Sequence, residues 1–82
     1  MLKDIIEKGK CDKGLNLQPE DARQIVFGGL LCFFKEYGRN GETACYEPLY
    51  YAASASCYLS QNEMNAVNNI FDLISRLDID YT

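Results

Sequence analysis

The chain has 82 residues, of which 48% are hydrophobic, and its twelve acidic and eight basic side chains leave a net charge of −4. That length makes one domain, residues 1–82, hiding only ~60–65% of the surface its unfolded form exposes, so there is room for one core and little more. The composition excludes a disordered chain, and the charge balance argues against direct nucleic-acid binding, which needs clustered Lys and Arg to displace counterions from phosphates.

The charge is unevenly placed. Lys3, Lys8, Lys10 and Lys13 stand near the start, whereas Glu42, Glu47, Glu63, Asp72, Asp78 and Asp80 follow Asn40 with only Arg76 in reply. An acidic half suits attraction to a basic protein surface, or simply a well-solvated one. The apolar run "IVFGGLLCFF", Ile25 to Phe34, falls well short of the ~18–20 residues a membrane span needs. The opening "MLKDIIEKGK" carries acids and no continuous apolar segment, so no secretory signal is read and the cytoplasm is the expected location.

The first predicted helix covers about residues 2–8. Leu2, Ile5 and Ile6 share one side, and Asp4 stands four residues before Lys8, a favourable pair. A helix this short must dock to persist. The following "GKCDKG" has the spacing of a phosphate-binding loop, but Leu15 and Asn16 stand where that loop needs Lys and Ser or Thr, so no phosphate site is expected.

The second helix opens at Pro19, with Glu20 and Asp21 in the first turn where the helix dipole favours negative charge. It is predicted to run to about Tyr37, with Gly38 ending it and a turn through Asn40-Gly41. Ala22, Ile25, Val26, Gly29, Leu30, Phe33 and Tyr37 line one face, and Phe27, Leu31 and Phe34 carry apolar character well round the cylinder. A helix apolar over most of its circumference is expected at the centre of the fold. The Gly28-Gly29 pair, costly in a helix, signals a bend or a close backbone approach.

The stretch "YEPLYYAASASCYLS", Tyr46 to Ser60, shows no alternation as a strand. As a helix opening with Pro48 it gathers Leu49, Tyr50, Ala53 and Cys57 on one side. Tyr51 and Tyr58 then fall on another side, with Ser54 and Ala55 between them. The last helix is marked by "SQNE", Ser60 to Glu63, a capping box in which serine and glutamate each serve the other's backbone N–H. Met64, Val67, Ile70, Phe71, Ile74 and Leu77 follow at helical spacing, with Ala66 and Leu73 widening the stripe. The expected fold is therefore all-α: a compact bundle of three to four helices, with a short N-terminal helix and longer antiparallel partners.

Chemistry is scarce. No histidine is present, which removes the usual general base and any Ser-His-Asp or Cys-His arrangement. The four cysteines, Cys11, Cys32, Cys45 and Cys57, form no C-x-x-C pair, so no zinc site is expected. Cys32 and Cys57 are expected in the core, and Cys11 and Cys45 in loops. A reactive Cys11, beside Lys10 and Lys13, is opposed by Asp12 and lacks an adjacent base. The acids sit at helix starts, loops and a tail, and the D-x-D of Asp78 and Asp80 lacks further oxygen ligands. No enzyme, cofactor or metal is expected.

What remains is surface. The apolar arcs exceed what one small bundle buries, and large exposed apolar patches mark partner sites. The leading expectation is a protein–protein interaction module, homodimeric, with Tyr51, Tyr58 and Ala55 joined by Phe27 and Leu31 at the interface. A first alternative, by analogy of size and charge with small phage and mobile-element proteins, is an acidic inhibitor or adaptor. It would dock on a basic surface of a larger protein through Glu63, Asp72, Asp78 and Asp80. A second is a small-molecule binder. Salt separates the first two, because an acidic interface weakens with ionic strength and an apolar one does not.

Overall fold

The computed structural model describes residues 2–77. They form four α-helices: α1 (Leu2–Gly9), α2 (Pro19–Asn40), α3 (Glu47–Ala55) and α4 (Gln61–Leu77). Single 3₁₀ turns stand at Lys13–Leu15, Gly41–Thr43 and Ser56–Tyr58, and there is no strand among the described residues. The chain is thus an all-α bundle.

Three of the four helices, α2, α3 and α4, begin where local chemistry starts them. Pro19 and Pro48 stand in the first turns of α2 and α3, where a missing N–H costs nothing. The capping box opens α4: the Glu63 N–H donates to Ser60 Oγ at 3.4 Å, and the Ser60 N–H and hydroxyl both donate to Glu63 Oε1, at 3.4 and 2.8 Å. The end of α2 differs from expectation. The helix runs through Gly38 to Asn40 and stops at Gly41, which takes a positive φ of 58° and donates its N–H to the Tyr37 carbonyl. The left-handed residue that ends a helix is the one that reverses the chain, and here that is the glycine of the Asn-Gly turn.

The centre of the fold is α3, not α2. Leu49, Ala52, Ala53 and Ala55 are all fully buried, and Ser54 and Ser56 nearly so. Its small side chains let two neighbours come close. A β-carbon on Gly9 of α1 would stand 2.7 Å from the Tyr50 carbonyl oxygen, and one on Gly29 of α2 would stand 2.6 Å from that of Pro48. Both approaches exist only because glycine leaves the space. Ala22, Val26, Leu30 and Phe33 of α2 complete this side of the core, and Leu2 and Ile6 of α1 with Val67, Phe71 and Ile74 of α4 close the other. The Phe33 ring is fully enclosed among Phe34, Tyr37 and Tyr46, at centroid distances of 5.5, 5.6 and 6.2 Å.

The loop after α1 is strapped to α3 and the turn beyond it. The Cys11 N–H donates to the Ala53 carbonyl and the Asp12 N–H to that of Ser54, both at 3.1 Å. The Tyr58 hydroxyl donates to the Asp12 carbonyl at 2.8 Å and accepts from the Asn16 N–H at 3.1 Å. No helix among the described residues is long and apolar enough to cross a membrane.

Candidate protein-interaction surface

The residues predicted to form one interface occupy four different environments. Ala55 is fully buried and offers nothing to a partner. Tyr58 is half-buried, and its hydroxyl is committed to the Asp12–Asn16 loop, so it serves as an internal strut. The seven-residue spacing that placed Tyr51 and Tyr58 together fails for a physical reason. After Ala55 the chain tightens into a 3₁₀ turn, which advances about 120° per residue instead of about 100°. Tyr58 is thereby carried inward while Tyr51 stays 55% exposed.

Tyr51 lines a shallow groove of about 610 Å³ between α2 and the start of α3. Ile25, Gly29 and Pro48 add apolar lining, and Glu36 and Glu47 bring negative charge to the same groove. Phe27 and Leu31 lie elsewhere. At ~100° per residue they stand about 110° round α2 from its buried stripe, on the side away from Ile25 and Tyr51. Phe34, seven residues after Phe27, shares their line; the three are 41%, 59% and 44% exposed. Phe34 belongs with the predicted pair, and its spacing was the signal that could have placed it there. Gly38, one further step along the line, has open space above its Cα.

One ion pair borders this stripe. Arg23, one turn before Phe27 on α2, meets Glu63 of α4 at 3.2 Å. The hydrogen bond from Ser60, and then Arg23, hold the Glu63 carboxyl below its ordinary pKa. Its charge is thus already engaged within the fold. Asp72, by contrast, lines a cleft of about 690 Å³ between α1 and α4 together with Lys3, Lys10 and Arg76 as well as Asp4 and Glu7. Positive and negative charges alternate there, so Glu63 and Asp72 do not form a uniform acidic face. Asp78 and Asp80 lie outside the described residues.

The cysteines also depart from expectation in part. Cys32, expected in the core, is exposed, and so is Cys45; both line the Tyr51 groove. Cys11 and Cys57 are half-buried. Among the described residues no group of three or more His, Cys, Asp or Glu side chains gathers as a metal site would need. No protein-family model, curated protein or solved structure matches the chain.

Proposed function

We propose that this chain is a non-catalytic helical interaction module of the cytoplasm that pairs with a second copy of itself through the outer face of α2. The observation that carries the reading is the Phe27–Leu31–Phe34 line, three large apolar side chains each about half exposed on one helix. Their spacing of four and three residues, continued by Gly38 at four more, is the seam period of paired helices. A two-fold pair needs only one such patch, because each copy presents the same surface to the other. Each phenylalanine exposes roughly 60–110 Å² at these fractions. With Leu31 the stripe supplies the apolar centre of an interface whose remaining area, about 800 Å² per partner in a standard case, comes from a polar rim. Arg23 and Lys35 flank the line on either side and fit that rim.

The test is absolute mass by light scattering over a concentration series. The expected result is a dimer that survives reductant and high salt, and that Leu31→Glu converts to a monomer of unchanged helical content. A monomeric native chain at high concentration, or a dimer indifferent to both Leu31→Glu and Phe27→Glu, would sink the reading.

The Tyr51 groove favours a second reading, an adaptor that receives a segment of another protein. An apolar lining with two carboxylates suits a partner segment combining apolar and basic side chains. Such binding weakens with salt and with Tyr51→Ala, whereas the α2 dimer responds to neither. The groove also falls within the volume range of small-molecule sites, but its shallowness suits a peptide better.

A further inference from the structure

We propose that Cys11 and Cys57 are a redox-modification site: the two thiols form an intrachain disulfide by exchange with a small-molecule disulfide such as oxidised glutathione, stapling the loop after α1 to the turn after α3. The inference is independent of how the chain associates.

Three features of the fold carry it. Far apart in sequence, the two cysteines are brought near each other by hydrogen bonds from Cys11 and from the residue after each. Cys11 itself donates to the Ala53 carbonyl, its neighbour Asp12 donates to Ser54, and Tyr58, the neighbour of Cys57, donates back to Asp12. Ala53 lies one helical turn before Cys57, so this frame sets the Cys11 loop beside Cys57, close enough for the Cys11 side chain to raise the Cys57 thiol. Second, both residues are half-buried, so neither is sealed into the core. Third, Cys11 holds a φ of 65°, the left-handed region that glycine or asparagine enters readily and a cysteine resists. A strained residue kept where glycine would fit the backbone points to a role for its side chain.

Burial first, and then the contact with Cys11, push the Cys57 thiol up to about 11, and the proposed exchange starts from Cys11. The Cys11 thiolate attacks one sulfur of the small disulfide; that S–S bond breaks, and the departing thiolate takes up the proton Cys11 released. The bond now joins Cys11 to the small thiol. Cys57 then gives up its proton and attacks the Cys11 sulfur, and the second small thiolate leaves and is protonated. Two protein thiols have been oxidised to one disulfide, and one small disulfide has been reduced to two thiols. Capping Cys11 removes one of the influences that hold Cys57 protonated, which helps the second step follow the first.

The experiment is equilibration of the purified chain in glutathione redox buffers, read by intact mass and peptide mapping, with Cys32 and Cys45 replaced by serine in a parallel sample. The expected result is loss of two hydrogens and a Cys11–Cys57 cross-linked peptide, with no glutathione retained on either residue. Closing a loop this long raises the melting temperature of the oxidised form by roughly 10 °C or more. Cys57→Ser abolishes the shift and leaves one glutathione on Cys11. Cys11→Gly, which the left-handed backbone accepts, keeps the fold and also abolishes the shift. The proposal is overturned if Cys11 and Cys57 each retain a separate glutathione. It is equally overturned if both stay reduced while Cys32 and Cys45 of the native chain are fully modified.

Discussion

At Gly29 a β-carbon would meet the Pro48 carbonyl at 2.6 Å and the Ala52 β-carbon at 3.3 Å, and a backbone carbonyl in a helix cannot turn aside. Its neighbour Gly28 has nothing within 4 Å of the same position. Two adjacent glycines with equal helix propensity therefore have opposite outcomes on substitution. Gly29→Ala should lower stability in urea unfolding by about 1–3 kcal/mol through overpacking, while Gly28→Ala should raise it by up to about 1 kcal/mol. The pair was legible as a sign of close approach or bending, but which member makes the approach depends on what lies opposite. Cys57 offers a second residue-scale prediction. Its thiol is raised from an ordinary 9.0 to about 11 by burial, with Cys11 adding to the rise and Lys13 opposing it. The fold thus favours the protonated thiol. Below pH ~9 folded and unfolded chains both hold the proton, and the stabilisation is intact; between about 9 and 11 the unfolded chain releases it first, and stability falls. In melts of the reduced protein from pH 8 to 11, the native chain should lose more melting temperature than Cys57→Ala does. Equal slopes would show that Cys57 is not the group responsible.

Among the elements, α4 was the most readable, because its start depends on residues three apart. Ser60 and Glu63 make reciprocal contacts whatever the rest of the chain does. Ser60→Ala should cost about 1 kcal/mol and speed amide exchange in the first turn of α4; unchanged exchange there would show that the box is not what holds the turn. The end of α2 was harder. Gly38 and Gly41 are both plausible terminators, and the choice falls on the one whose backbone reverses toward α3, at φ 58°. In α3 the helical wheel worked as far as Ala55 and then misled, since a single 3₁₀ turn rotated Tyr58 off the face it was assigned. There Tyr58 meets the Asp12–Asn16 loop, a contact no local pattern contains.

On the scale of the whole molecule, the extents are 37 × 20 × 18 Å, and the longest matches α2, whose 22 residues alone span about 33 Å. A helix that long on so small a body cannot be wrapped on all sides by three shorter neighbours. Part of its apolar circumference must face outward, and the proposed dimer follows from this shortage of cover. Its association should hold from low to high salt, because apolar burial does not weaken as ions are added. A steep loss with ionic strength would instead direct attention to Glu36 and Glu47 beside the Tyr51 groove.

The sequence by itself determined where helices begin, which class of fold they build, and that more apolar surface exists than one small core consumes. These follow from caps, prolines and periodicities whose partners lie within a turn or two. Which part of the α2 circumference is covered, that α3 rather than α2 forms the spine, and that the Cys11 loop docks on the end of α3 beside Cys57 were decided only by tertiary structure. Along α2 the apolar residues of the covered and uncovered faces are chemically alike. What separates them is the approach of α3, made possible by side chains that are missing at Gly9 and Gly29 and small at Ala52 and Ala53. Close packing of this kind is a distance between remote points of the chain, and it exists only once the helices have docked.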